Sequence, residues 1–134
     1  MDNTMTDEEL LDAARVAREK AYCPYSGFRV GAALLDENGQ VHVGCNVENA
    51  AYPQGSCAEA GAISAMIAAG GQRIVTIAVA GGGENKTGAC TPCGGCRQRI
   101  HEFSDDDTRI IVKDDDEDWH TYTVADLLPS SFHL

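Results

Sequence analysis

The chain has 134 residues, a length that suits one domain, and we take residues 1–134 as that single domain. Its formal net charge is −11, from 10 lysines and arginines against 21 aspartates and glutamates, so it would repel a phosphate backbone and we expect no nucleic-acid partner. No stretch reaches the roughly 20 consecutive apolar residues of a membrane-spanning helix, so we expect no membrane partner either.

The first predicted element is a helix from about Asp7 to Ala21. Thr6 and Glu9 have the spacing of a capping box at its start. One apolar stripe runs along the helix and consists of Leu10, Leu11, Ala14, Ala17 and Ala21.

A β-hairpin is predicted next. It comprises FRVGAALLD (28–36), a turn at ENG (37–39) and QVHVGCNVE (40–48). Because side chains alternate along a strand, Asn46 and Glu48 are expected on one face of the second strand, opposite its valines.

The second half of the chain predicts further helices and strands in alternation. They are a helix over 57–69, an apolar strand over 73–81, a helix over 92–103, strands over 109–113 and 119–124, and a short helix within 124–132. Pro92 stands at the first helical position, where proline is favoured. The whole order predicts an α/β fold with a mixed sheet of about five strands and helices on both faces.

Six cysteines indicate chemistry beyond packing. They are Cys23, Cys45, Cys57, Cys90, Cys93 and Cys96. The charged, amphipathic N-terminal segment does not read as a secretory signal, so we expect a cytoplasmic location. In that reducing environment, clustered cysteines indicate metal or redox chemistry rather than disulfides.

Three of these cysteines are predicted to meet at two helix ends. Cys57 begins one helix, and Cys93 and Cys96 are three residues apart at the start of the next, where they share a face. Helix N-termini favour anions and lower the pKa of thiols. Zinc suits sulfur ligands, and a catalytic zinc with three protein ligands keeps a position for water. Glu59 would face that position.

The residues alone leave other roles open for the cysteines and for Glu59. The CGGC segment could be a dithiol redox pair, or it could join Cys90 or a histidine in a four-ligand structural zinc site. Glu59 could be a helix cap, because Ser56 as N-cap would place it at N3 of a capping box.

The motifs CAE (57–59) and PCGGC (92–96) resemble the signature of zinc-dependent nucleoside deaminases. With PYSGFRVGAALL, GCNVENAAYPQGSCAEAGAI and DLLPSSF, the resemblance is to the short-chain cytidine deaminases and runs from Pro24 to Phe132. It implies a three-layer α/β/α sandwich with a five-stranded mixed sheet. It also implies zinc-dependent hydrolytic deamination of cytidine and 2′-deoxycytidine, and a homotetramer with shared active sites.

The resemblance further implies the roles of individual residues. Cys57, Cys93 and Cys96 would hold one zinc ion per subunit, and Glu59 would transfer protons. The implied substrate contacts are Phe28, Asn46, Glu48, Tyr52, Ala58 and Phe132, the last reaching a neighbouring subunit's site. An alternative role for Asn46 and Glu48 is to brace the end of the hairpin.

Ala60 departs from the family pattern, because many short-chain cytidine deaminases have an arginine there. Three thiolates and Zn²⁺ leave one net negative charge, which the arginine would offset. We expect helix N-terminal amides to offset it alone, with Arg97 as the alternative.

Three cysteines lie outside the implied zinc site. They are Cys23, Cys45 and Cys90, and we expect them to be buried spectators. Two other functions stay open: a deaminase of a blasticidin-like or other nucleoside analogue, and a non-catalytic zinc-stabilised binding module.

Overall fold

A computed structural model describes residues 5–82, 91–113, 119–132 and 134 of the chain. Its elements are α1 (Asp7–Arg18), β1 (Arg29–Asp36), β2 (Val41–Cys45), a 3₁₀ turn (Tyr52–Gln54), α2 (Ala58–Ala68), β3 (Ile74–Gly82), α3 (Gly94–Glu102), β4 (Arg109–Lys113), β5 (Trp119–Thr123) and α4 (Val124–Leu127). The predicted order of helices and strands is confirmed. Among the described residues, no helix combines the length and apolarity needed to cross a bilayer.

The five strands form one mixed sheet in the order β2-β1-β3-β4-β5. β3 and β4 are parallel, and the other neighbouring pairs are antiparallel. The central strand β3 is largely buried, as its apolar sequence predicts. α1 packs on one face of the sheet, while α2, α3 and α4 supply buried side chains to the core on the other face. The predicted three-layer α/β/α sandwich is confirmed.

α1 begins where the sequence predicts and ends three residues earlier. Thr6 is its N-cap and exchanges hydrogen bonds with Glu9, so the predicted capping box is confirmed. The predicted apolar stripe is buried. Beyond Arg18, the backbone amides of Lys20 and Ala21 bond to carbonyls three residues back, a tighter turn that ends the α-helix.

The second hairpin strand is also shorter than predicted. β2 ends at Cys45, and beyond it Val47 forms isolated bridges with Tyr22 and Ser56 instead of pairing with β1. Asn46 and Glu48 therefore lie in the segment that leaves the sheet and leads toward α2, rather than on a strand face.

Two glycines allow helices to touch the backbone of the sheet. A Cβ on Gly31 would stand 2.0 Å from the carbonyl oxygen of Ala14 in α1. A Cβ on Gly44 would stand 2.4 Å from the carbonyl oxygen of Ala58, the first residue of α2. Since a bonded carbon has no room at either distance, both positions require glycine. Gly44 in this way sets how closely the first turn of α2 approaches β2.

Asp36 ends β1, and its carboxylate is buried beside His42 of β2. Asp36 Oδ2 lies 2.8 Å from His42 Nε2, and Oδ1 accepts hydrogen bonds from the backbone N–H groups of Asn38 and Gln40. Burial acts to raise the pKa of Asp36, but these hydrogen bonds outweigh it and hold the pKa below its ordinary value of 3.8. The ionised carboxylate therefore stabilises the hairpin turn.

We expect Asp36→Asn to lower the free energy of unfolding by about 1–3 kcal/mol at pH 7, because the buried charge-assisted hydrogen bonds are lost. The folded pKa is depressed, so the carboxylate stabilises the protein above pH 3.8 and this contribution is lost as the pH falls through the lower folded value. Urea denaturation at a series of pH values should show the difference between the two proteins shrinking below about pH 4.

The exposed Asp12→Asn, which removes a surface ion pair with Arg15, is the matched control and should change stability by less than about 0.5 kcal/mol. A penalty for Asp36→Asn that stays constant down to pH 2 would contradict the role assigned to its charge.

Candidate metal centre

The metal centre lies where two helices begin. Cys57 is the N-cap of α2, Cys93 is the N-cap of α3, and Cys96 is the third residue of α3. The Cys57 side chain makes no capping hydrogen bond, so its sulfur is available to another partner. Two helix N-termini therefore meet at a group of sulfur atoms, an environment that favours negative charge.

Both helices begin later than predicted. The interpretation in which Ser56 caps α2 is wrong, because its backbone is paired with that of Val47 through two hydrogen bonds of 2.9 Å. Pro92 precedes the N-cap of α3 instead of opening the helix. The Cys96 backbone N–H, which a helix beginning at Pro92 would direct to the Pro92 carbonyl, donates to the Cys93 sulfur instead. The Pro92 carbonyl accepts from Arg97 Nε at 2.8 Å.

The three cysteine ligand atoms lie within 4.8 Å of one another. Cys96 is buried, Cys57 is half-buried and Cys93 is exposed. In the described part of the chain, this is the one cluster of cysteine, histidine or carboxylate side chains placed to hold a metal ion. Three sulfurs on two helix ends form a donor set that fits zinc. Cys90 and His133, which the sequence left open as further ligands, lie outside the described residues.

The three thiols differ in pKa. Burial raises the pKa of Cys96, and the negative charges of Glu59 and of the two other cysteines raise it further. Burial likewise raises the pKa of Cys57. At Cys93 burial is outweighed by hydrogen bonds from the backbone N–H and thiol of Cys96 and from the thiol of Cys57, so its pKa is lowered. The mutual repulsion shows that the cluster needs a positive partner to hold all three thiolates.

An arginine that the sequence interpretation did not consider lies beside this cluster. Arg99 Nη1 donates to Cys96 Sγ at 3.5 Å. Arg97, the residue considered, instead donates to three oxygen atoms, those of the Pro92 and Leu127 carbonyls and the Thr91 hydroxyl. The expectation that helix amides alone face the sulfurs is therefore incomplete. The spacing held the clue, since residues three apart on a helix share a face.

Glu59 is buried, with 4% of its surface exposed, and lies in the first turn of α2. Because Cys57 is the N-cap, Glu59 is the second helical residue and not the third, so the capping-box interpretation of Glu59 is wrong. Burial raises the pKa of Glu59, although its own backbone N–H and the charge of Arg99 act in the opposite direction. A carboxyl group with a raised pKa beside a metal site can both accept and return a proton near neutral pH.

A cavity of about 470 Å³ opens in front of the sulfurs. Its walls include most of the predicted site residues, namely Phe28, Asn46, Glu48, Tyr52, Cys57, Ala58, Glu59 and Cys93. Thr91 and Val30 also line it and were not predicted. Cys96 lies behind the wall, fully buried, and Phe132 is not among the lining residues.

Asn46 and Glu48 brace the loop before β1 as well as lining the cavity. Asn46 accepts a hydrogen bond from the Val30 amide at 2.8 Å and donates one to the Phe28 carbonyl at 2.9 Å. The Glu48 carboxylate accepts from the hydroxyl and backbone N–H of Ser26 and from the backbone N–H of Tyr25. The bracing role that the sequence left open is therefore present, and both residues also line the cavity.

Tyr52 and Phe132 are both exposed, at 75% and 69%. The Tyr52 ring packs edge-on against Tyr25, with ring centroids 6.0 Å apart. The Phe132 backbone is held by Gln98 of α3, which donates to its carbonyl and accepts from its amide. The tail thus presents the Phe132 ring to the outside of this chain, and its predicted role in a neighbouring site stays a prediction.

Two further cysteine predictions have different outcomes. Cys23 is buried, as expected of a spectator, whereas Cys45 is only partly buried at the end of β2. Cys90 lies outside the described residues.

Sequence comparison identifies the family to which the chain belongs. Residues 4–113 match the family described as the cytidine and deoxycytidylate deaminase zinc-binding region. The chain belongs to this deaminase family. The three-cysteine cluster lies inside the matched zinc-binding region, which supports zinc as the metal of this deaminase.

Individual deaminases of the family are similar along nearly the whole chain. A cytidine deaminase of Sporosarcina psychrophila is 41% identical over 128 residues, which cover 96% of this chain and 92% of the relative. One from Halalkalibacterium halodurans is 40% identical, with coverages of 96% and 95%. The crystal structure of the cytidine deaminase from Burkholderia pseudomallei superposes with a TM-score of 0.86 at 42% identity, covering 96% of this chain and 100% of that one. The predicted resemblance is confirmed.

Proposed function

We propose that this chain is a cytidine deaminase that hydrolyses cytidine and 2′-deoxycytidine to uridine and 2′-deoxyuridine and releases ammonia. The observation that carries the proposal is the meeting of three cysteine sulfurs with a buried glutamate at one cavity wall. Family membership and the names of the relatives agree with it.

Cys57, Cys93 and Cys96 would hold one zinc ion per chain. Bound there, zinc supplies a Lewis acid that makes water a nucleophile at neutral pH. Glu59 would accept one proton from the attacking water and pass it to the pyrimidine ring nitrogen. It would then accept the proton of the hydroxyl group added to the ring and pass it to the departing amine, which leaves as ammonia. The raised pKa of Glu59 supports this double role, because it places the carboxyl group closer to the working pH.

The other end of the cavity would hold the nucleoside. Asn46 and Glu48 offer an amide and a carboxylate to the sugar hydroxyls, and both are held in place by their loop contacts. Phe28 would pack on the pyrimidine ring, while Ala58 and Tyr52 complete the wall. An acidic surface without a cluster of lysines fits a neutral nucleoside better than a nucleotide, whose phosphate needs cations.

We further propose that residues 1–134 act as one domain in a cytoplasmic homotetramer with shared active sites. Exposed side chains at the cavity support an interface there: Val47 and Tyr52 line it, Tyr22 pairs with Val47, and Tyr25 packs on Tyr52. Sedimentation velocity tests the assembly, and a 14.2 kDa monomer at micromolar concentration would contradict it.

A substrate panel tests the reaction. The zinc-loaded protein is incubated with cytidine, 2′-deoxycytidine, cytidine monophosphate, adenosine or blasticidin, and ammonia and absorbance are followed. We expect turnover of the first two alone. Turnover of blasticidin alone would favour the analogue deaminase, and a zinc-loaded protein inert toward every compound would favour the binding module.

A further inference from the structure

The charge of the sulfur cluster needs a compensating cation that lies close to it. Three thiolates and a divalent metal ion leave one net negative charge, and the buried Glu59 stands beside them. Helix N-terminal amides supply partial charges only, about half a unit for each helix. Position 60 holds alanine, so α2 offers no cation in its first turn.

Arg99 is placed to supply that charge. Its guanidinium Nη1 lies 3.5 Å from Cys96 Sγ, and Cys96 is itself fully buried. The guanidinium lies beside Gly95, where a Cβ would stand 3.4 Å from Nη1, an ordinary contact distance. Arg97, two residues earlier, donates hydrogen bonds to three oxygen atoms.

We propose that Arg99 is the counter-charge of the zinc site, a positioning residue that acts through Cys96. By donating to Cys96 Sγ it stabilises the thiolate and draws electron density from it, so a bound metal ion keeps more of its Lewis acidity. α3 in this way provides the cation that α2 lacks. The inference rests on the proposed zinc site of Cys57, Cys93 and Cys96.

Zinc release provides the test. Protein loaded with zinc is mixed with a chromogenic chelator, and the rate of zinc transfer is measured for the native chain, Arg99→Gln, Arg99→Lys and the control Arg15→Gln. We expect Arg99→Gln to lose zinc about 10- to 100-fold faster, as is typical when a partner of a metal ligand is removed. Arg99→Lys should be intermediate, because it keeps the charge but loses the planar donor geometry.

Three observations separate a charge effect from a structural one. Arg99 is exposed, so its replacement leaves the core intact, and circular dichroism should match that of the control. The difference between the native chain and Arg99→Gln should shrink as salt rises, because an exposed charge is screened. Adding Ala60→Arg to Arg99→Gln, which places a guanidinium three residues after Cys57, should restore slow release in part.

The outcomes are distinguishable from failure of the proposed function. A native chain that binds no zinc would overturn the zinc site itself. Two outcomes would overturn the role of Arg99 and leave the zinc site intact. One is zinc release from Arg99→Gln at the native rate. The other is equally fast release from Arg99→Gln and Arg99→Lys at every salt concentration.

Discussion

Glu59→Gln is expected to lower the rate of cytidine deamination by about 100- to 10,000-fold, the usual contribution of a general acid and base. The amide has nearly the shape of the carboxyl group but neither accepts nor returns a proton. Since Glu59 is outside the group of three sulfurs, the variant should retain its zinc. Steady-state kinetics and the zinc content of the purified protein together provide the measurement.

The loss should fall on kcat more than on KM, because the proton transfers occur after the nucleoside is bound. Glu8→Gln, on the exposed first turn of α1, removes a carboxylate remote from the cavity and serves as the control. Full activity in Glu59→Gln would show that this carboxyl group does not carry the protons. An inactive protein that has lost its metal would show instead that Glu59 supports the metal site.

Gly44→Ala is expected to damage both stability and zinc binding through a single added methyl group. The new carbon would stand 2.4 Å from the Ala58 carbonyl oxygen and 2.5 Å from the Ala62 amide nitrogen. Both are backbone atoms, so α2 must move away from β2. Overpacking of this kind costs about 1–3 kcal/mol. The first turn of α2 carries Cys57 and Glu59, so we also expect zinc affinity to fall at least about tenfold.

Gly61→Ala is a matched control on the other side of the same contact. A Cβ there would lie 3.5 Å from the Gly44 Cα, an ordinary van der Waals separation, and alanine favours the helix more than glycine does. Urea denaturation and zinc titration of both variants provide the comparison. Equal behaviour of the two variants would show that the approach of α2 to β2 does not position the metal ligands.

Much of the fold was predictable because its signals are local. The capping box of Thr6 and Glu9, the apolar stripe of α1 and the apolar run of β3 each depend on residues close in sequence. The starts of α2 and α3 were less predictable, because they depend on contacts with other segments or with side chains. Ser56 pairs with Val47, and the Pro92 carbonyl is taken by Arg97.

In the candidate site too, features set by local sequence were predictable and features set by distant contacts were not. The spacing of Cys93 and Cys96 and the Cys-x-Glu motif predict sulfur ligands and an acid, and the structure brings these residues together. The sequence offered lining the site and bracing the hairpin as alternative roles of Asn46 and Glu48, and the structure shows both. Local sequence could not decide this, since the bracing contacts join segments about 20 residues apart. The contact of Arg99 with Cys96 was not predictable, because it depends on where α3 begins and on the conformation of a long side chain.

The chain order α2, β3, α3 has a consequence for how the chain folds. An ion held jointly by Cys57 and Cys93 closes a loop that contains all of α2 and β3. In the unfolded ensemble, such a cross-link removes conformational freedom worth about 3–4 kcal/mol for loops of this order. The metal ion would thus act as a reversible cross-link. Its removal by a chelator should lower the melting temperature of the whole protein as well as stop deamination.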